Sequence, residues 1–253
     1  MKATIKENRE LVPRYFTMTL SEMGDDFRGE PGQFVMIRGD WGSDPLLARP
    51  LSICRFLHED GQIRIVYRVM GRGTRRLSEM KAGQTVDING PLGNPFPRPD
   101  ESRRVLLTAG AIGAPPLIAL AGSMAVSPLL IIGGRTRNDV VFISDEIREL
   151  DIETIYVTED GSYGQKGTAV TELARHVGGN DLVYACGPNR MLAEIARLSE
   201  EIGFEAHVSF EERMACGIGV CLGCAVRHAN GTYVHVCKDG PVFNVTDIDW
   251  DRL

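Results

Sequence analysis

Three cysteines stand on one short stretch, MACGIGVCLGC, at positions 216, 221 and 224, and Cys237 follows after twelve more residues. Three thiols spaced this closely, with glycines between them, forbid a regular helix or strand there. The stretch must be a loop bent around whatever the sulfurs hold. Structural zinc sites commonly draw on two well-separated short pairs. Here the spacing is C-x4-C-x2-C with a distant fourth cysteine, the plant-type ligand pattern of a [2Fe–2S] cluster. Cys216, Cys221, Cys224 and Cys237 are the candidate ligands. Gly217, Gly219 and Gly223 are expected to let the chain curl so that N–H groups face an anionic centre. Cys54 and Cys186 stand apart and read as small buried residues.

The remaining sequence divides by texture, which predicts three domains in a mixed α+β chain: residues 1–99, 100–208 and 209–253. In the first, short alternating runs predict strands over 3–11, 14–20, 33–39, 50–56, 62–69 and 84–93, with a helix over 73–80. Such spacing belongs to an antiparallel sandwich or barrel. After the proline-rich joint NPFPRPD, strands over 105–110, 127–134, 153–160 and 181–187 alternate with helices over 115–126, 143–150, 168–177 and 190–203. Alternation of this kind predicts a parallel sheet. Beyond Ser209 regular pattern fades, apart from a hairpin over 227–237 turning at Asn230-Gly231. So short a tail is expected to need a metal or another staple.

Residues 105–134 carry no charge, but glycines and prolines break them into strand, helix and strand, so no membrane span is expected. The net charge of −6 argues against nucleic acid as a partner. The opening residues, MKATIKENRELVPRYF, lack the apolar core of a secretory leader. A cytoplasmic setting is therefore expected, with the cysteines reduced rather than paired.

Two dinucleotide sites are foreshadowed. In ARPLSICR, Arg49 offers a planar fork for a pyrophosphate and Ser52 a hydroxyl for a ring edge. In GRGTRRL, Gly73 and Thr74 open a helix whose N-terminus favours phosphate. In the second region, VLLTAGAIGAPPL is a strand, a glycine turn (Gly110, Gly113) and a helix start. Cys186, Gly187 and Pro188 end another parallel strand, where open α/β sheets bind ligands.

The order RPLS, GRGT, glycine turn and CGP resembles the ferredoxin–NADP reductase superfamily along the whole chain. The tail EERMACGIGVCLGC, with Cys237, narrows the likeness to the electron-transfer subunits of the NAD-linked bacterial dihydroorotate dehydrogenases. The resemblance implies an FAD-binding β-barrel, an NAD-binding α/β domain and a C-terminal [2Fe–2S] domain. It implies FAD contacts from Arg49, Pro50, Leu51 and Ser52, from Val66, Tyr67 and Arg68, and from Gly73 and Thr74. Leu51 stands where many members carry an aromatic, and Ala109 and Ala111 where glycines are frequent. It further implies an FMN-containing catalytic partner in a heterotetramer of two copies of each chain. Electrons would run from that FMN through the cluster and FAD to NAD⁺, in pyrimidine biosynthesis, with no general acid or base in this chain.

Glu159 and Asp160 after the third parallel strand suit a free ribose and so NAD; Arg135 and Arg137 on the preceding loop oppose that reading. Glu211 and Glu212 read as exposed charge. Two rival readings stay open: a subunit of a related NADH-dependent ferredoxin or sulfide oxidoreductase, and a zinc-stapled module that senses nucleotides.

Overall fold

The computed structural model describes residues 1–24, 27–57, 61–100 and 102–252. Its first part is a closed antiparallel barrel of β1 (Lys2–Val12), β2 (Tyr15–Ser21), β3 (Phe34–Gly39), β4 (Arg49–Leu57), β5 (Gln62–Arg68) and β6 (Thr85–Leu92), in the order β1-β2-β5-β4-β3-β6. Alternate apolar residues point inward: Ile5, Met18, Leu20, Val35, Ile37 and Ile65 are all fully buried. Closure leaves no free edge. Helix α1 (Arg72–Glu79) lies against the barrel with Leu77 fully buried. Asn8 Nδ2 holds its last turn, donating to the carbonyls of Leu77 and Met80, both at 2.8 Å.

The second part carries β7 (Val105–Gly110), α2 (Ala114–Ala121), β8 (Leu129–Gly134), α3 (Asn138–Val141), α4 (Ser144–Leu150), β9 (Thr154–Thr158), β10 (Gln165–Lys166), α5 (Ala169–His176), β11 (Leu182–Cys186), α6 (Asn189–Ile202) and β12 (Glu205–Ser209). These strands are parallel, and every residue of β7 and β11 is buried, as an apolar run covered on both faces requires. The tail adds a small hairpin, β13 (Ala225–Arg227) and β14 (Tyr233–His235), and then β15 (Val242–Asn244). The sheet order is β10-β9-β8-β7-β11-β12-β15, with β15 antiparallel to β12. Strand order reverses between β7 and β11, which makes that pair the switch point where such sheets bind ligands.

Three features depart from the sequence-based expectation. The helix expected over 115–126 stops at Ala121, where Gly122 closes it on the carbonyl of Ile118. Strands β10, β12 and β15 and helix α3 were not foreseen. The tail is also not held by cysteines alone. Its Val226, Val236, Phe243, Val245 and Ile248 share one core with Leu192 and Ile195 of α6 and Val208 of β12.

The barrel and the α/β layer pack directly on one another. Cys54 and Val66 of the barrel join a core with Leu117 and Ile118 of α2. At the edge of that contact, Arg64 Nη1 meets Glu146 Oε1 at 2.7 Å.

Candidate functional site

A cleft of ≈ 720 Å³ opens between the barrel, the switch point and the start of the tail. Strand β4 brings Arg49, Pro50, Leu51 and Ser52 to its wall, and β5 brings Val66, Tyr67 and Arg68. Thr74 of α1 lines it too, while Gly73 lies beside it in a shallow extension shared with Arg49 and Met70. Strands β4 and β5 are antiparallel neighbours in the barrel, so residues far apart in sequence reach one mouth.

Local contacts fix several of these groups. Arg49 Nη1 donates to the carbonyls of Leu47 at 2.5 Å and Ala48 at 3.0 Å. A Cβ on Gly73 would stand only 1.9 Å from Arg49 Nε, so glycine is what lets the guanidinium lie across the start of α1. The Thr74 hydroxyl is engaged by its own turn: it accepts from Met70 N at 2.9 Å and Gly71 N at 3.2 Å. Tyr67 is buried and donates to Asn8 Oδ1 at 3.0 Å, which leaves its backbone rather than its hydroxyl for the cleft. Arg68 Nη2 lies 3.8 Å from Asp139 Oδ1, and its Nε is buried without a hydrogen-bond partner.

The nicotinamide candidates meet at the switch point. A Cβ on Gly113 would stand 2.2 Å from the carbonyl oxygen of Cys186, and one on Gly110 would stand 2.7 Å from Pro188 Cδ. The glycines therefore let the turn after β7 close on the turn after β11. Ile112, Pro115 and Asn189, which flank these turns, line the cleft. The Cys186 thiol points into the core, where burial and then the nearby Glu211 push its pKa well above the ordinary thiol range. At the far ends of β8 and β9, the two loops are zipped together. Glu159 N donates to Gly134 O at 3.0 Å and Arg137 N to Ser162 Oγ at 2.8 Å. Asp160 Oδ1 is occupied by Ser162 N at 2.9 Å, and the Arg137 guanidinium sits over the Tyr163 ring at 5.5 Å.

The cleft also takes Phe210, Glu211, Arg213 and Met214 from the segment after β12, which sequence reasoning did not foresee. The signal was present: Ala206, Val208 and Phe210 alternate into the core, the period of a strand. Glu211 is open to solvent through the cleft mouth, yet the protein crowded around it raises its pKa. Its neighbour Glu212 instead accepts from Asn189 Nδ2 at 3.0 Å.

The cysteine loop begins two residues beyond Met214. Cys224 Sγ and Cys237 Sγ lie 3.2 Å apart, and Cys221 N donates to Cys216 Sγ at 3.4 Å. The Cys216 thiol also interacts with the Cys221 side chain, so the sulfurs group two and two, as two bridged irons with two thiolates each ask for. Among the described residues no group of three or more His, Cys, Asp or Glu side chains converges to hold a single ion. Backbone N–H groups aim at sulfur: Gly219 N to Cys237 Sγ at 3.0 Å and Ile218 N to Cys216 Sγ at 3.5 Å. The N–H groups of Cys221 and Ile218 bring the Cys216 thiol down to about 6, whereas burial, with Cys224 close by, pushes Cys237 up to about 12. Gly217 and Gly219 take left-handed φ of 73° and 78°. Gly223 does not; its neighbour Leu222 makes that turn at φ 60°. Gly217 presses on the barrel, where a Cβ would stand 2.7 Å from Met36 Cγ. The loop therefore packs on β3, the strand whose Phe34 lines the cleft.

Residues 211–249 match the family described as the iron-sulfur cluster binding domain of dihydroorotate dehydrogenase B, and residues 3–96 match the oxidoreductase FAD-binding domain. The chain is 39% identical over 246 residues to the dihydroorotate dehydrogenase B (NAD(+)) electron transfer subunit of Caldanaerobacter subterraneus subsp. tengcongensis, covering 96% of each chain. It is 37% identical to the protein of the same name from Geobacillus sp. (strain WCH70), covering 97% of this chain and 96% of that one. Among solved structures it is similar to a chain of the NADH-dependent reduced ferredoxin-NADP oxidoreductase, with a TM-score of 0.84 and 30% identity over 99% of this chain and 91% of that one.

Proposed function

The chain belongs to the family of dihydroorotate dehydrogenase B electron transfer subunits, and from that premise we propose that it carries electrons between a dihydroorotate-oxidising partner and NAD⁺. The observation that carries the proposal is the contiguity of three sites. The switch-point turns border the cleft, and the cysteine loop begins just past Met214 on the cleft wall.

The donor sets fit the groups. Arg49 and Arg68 present cationic forks to a dinucleotide, and the start of α1 adds backbone N–H groups for phosphate. Four thiols in two pairs, with N–H groups directed at sulfur, suit a [2Fe–2S] cluster held by Cys216, Cys221, Cys224 and Cys237. When bound, the cluster supplies one-electron transfer and FAD the conversion between single electrons and a hydride pair. The chain's own residues bind, orient and shield. Phe210, with Ile112 and Asn189 of the switch-point turns, lines the nicotinamide side of the cleft, and Glu159 offers a carboxylate to a ribose hydroxyl.

The partner's seat is the outer face of the cysteine loop. On the loop Ile218, Val220 and Leu222 are 50, 74 and 59% exposed, and on the hairpin that follows it Tyr233 is 63% exposed. Apolar side chains exposed together mark an interaction surface. A catalytic subunit bearing FMN, seated there, would face the cluster at its most accessible ligand, Cys221. We propose the two-plus-two heterotetramer on the family likeness alone.

The test is co-purification with such a subunit followed by a dihydroorotate–NAD⁺ assay. NAD⁺ reduction that needs both chains is the expected result. Reduction of ferredoxin by NADH with no dihydroorotate turnover would favour the second reading, a ferredoxin-linked subunit, which the 0.84 TM-score keeps in view.

A further inference from the structure

Asp139 belongs to the α/β layer but is gripped by the barrel. It is only 7% exposed. Its Oδ1 accepts the hydroxyl of Tyr15 at 2.6 Å, a buried hydrogen bond across the domain boundary. Its Oδ2 accepts from Thr136 N and Thr136 Oγ1, both at 3.2 Å. Thr136 sits on the loop that ends β8, where a dinucleotide's adenosine end belongs in this fold. Gly134 is what lets α3 fold back this closely, since a Cβ there would stand 2.5 Å from Asp139 Cβ.

The barrel side of the contact leads straight to the cofactor cleft. Tyr15 and Arg68 are directly opposed on β2 and β5. The Arg68 guanidinium lies over the Tyr15 ring at 5.3 Å, and Tyr15 in turn stacks on Phe142 with centroids 4.4 Å apart. Arg68 is thus confined from below by the ring and from one side by Asp139. At 3.8 Å the carboxylate steers the guanidinium by charge without consuming an N–H. The donors of the fork remain free for a ligand in the cleft.

We propose that Asp139, braced by Tyr15, is a positioning residue: it holds Arg68 pointing into the flavin cleft and ties that posture to the nicotinamide-side loop through Thr136. The inference rests on the FAD reading of the cleft. Arg is flexible, and a fork held in place before binding loses less freedom when it binds. A carboxylate shared between the two sites makes occupancy of one felt at the other.

The experiment is a double-mutant cycle on FAD affinity. The flavin-depleted chain is titrated with FAD and followed by flavin fluorescence, with thermal midpoint and iron content measured alongside. Asp139→Asn keeps the size of the side chain and should raise the FAD dissociation constant about tenfold, within the usual range of coupling between contacting residues. Arg68→Gln should raise it at least as much. Asp139→Asn placed on Arg68→Gln should add almost nothing, because its effect passes through that arginine. Tyr15→Phe keeps the ring and removes only the brace, so it should shift affinity in the same direction by a smaller factor and serves if the Asp139 variant folds poorly. A merely structural role would lower the thermal midpoint while the two effects on affinity simply added. Additive effects, or wild-type affinity in both the Asp139 and Tyr15 variants, would overturn the proposal. Failure of the wild-type chain to bind FAD at all would remove the cofactor reading and this inference together.

Discussion

At the scale of single residues, the glycine at position 73 is as informative as the arginine it faces. Arg49→Ala removes a charge-assisted fork worth about 1.5–3 kcal/mol, so FAD affinity should fall roughly 10- to 100-fold. The iron content should be unchanged. Gly73→Ala makes the same point without touching the charge. The methyl would meet only the movable end of Arg49, so the chain should fold, but with the guanidinium displaced. Equilibrium dialysis should find weakened FAD binding in both variants; full flavin occupancy in either would count against the site. Glu211 gives a pH signature. The protein crowded around this solvent-open carboxyl raises its folded pKa above the unfolded value, so the stability it contributes is present at low pH and lost as pH rises through the folded value. Glu211→Gln should therefore raise the thermal midpoint of the flavin-depleted chain at pH 8 and leave it unchanged at pH 4. Asp139 has the opposite sign. Burial opposes its charge, but the Tyr15 hydroxyl, the Thr136 N–H and Arg68 outweigh that and hold its carboxyl below the usual range. Its contribution is present above the unfolded pKa and is lost as pH falls through the folded one.

At the scale of elements, the tail after β12 is where sequence and structure part most usefully. The cysteine spacing was legible because ligand chemistry fixes it. The barrel strands and the four parallel strands β7, β8, β9 and β11 were legible because burial on one face or both imposes a period. Strand β12 was passed over although Ala206 and Val208 alternate correctly, and β15, at three residues, is defined only by its pairing with β12. A strand that short carries no period of its own. The consequence is energetic. A tail read as needing a staple also shares a core with α6. Cys221→Ala should strip the iron, since three thiolates remain for a four-ligand cluster. Proteolysis should then be confined to the exposed loop around 216–224, while the segment through β15 stays protected. Iron at wild-type stoichiometry in Cys221→Ala would mean that this cysteine is not a ligand. Of the cleft residues, Arg49, Ser52, Gly73 and Thr74 were legible from their own chemistry, whereas Pro50, Leu51, Val66, Tyr67 and Arg68 were legible only by likeness. Nothing in the local sequence announces that Arg68 would also answer to Asp139, because that contact spans two domains.

At the scale of the whole molecule, the order of sites along one path decides what the chain can do alone. The switch point borders the cleft, the cleft borders the cysteine loop, and the loop's far side is an exposed apolar face. A nicotinamide and a flavin can meet within this chain, whereas on the proposed reading the organic substrate is left to a partner subunit. The purified chain should accordingly pass electrons from NADH to artificial dyes and leave dihydroorotate untouched, with or without NAD⁺. Adding the FMN-bearing subunit should create NAD⁺-dependent oxidation of dihydroorotate. Cys221→Ala should abolish that coupling while NADH-to-dye transfer through the flavin persists. Tyr233→Glu tests the face apart from the cluster. Tyr233 lies on the hairpin, outside the ligand loop, and is 63% exposed. A charge there should weaken assembly in analytical ultracentrifugation while iron and flavin contents hold, because desolvating it on docking is costly. Unchanged assembly in that variant would move the interface elsewhere. Dihydroorotate turnover by the chain alone, free of contaminating partner, would reverse the division of labour between the two subunits.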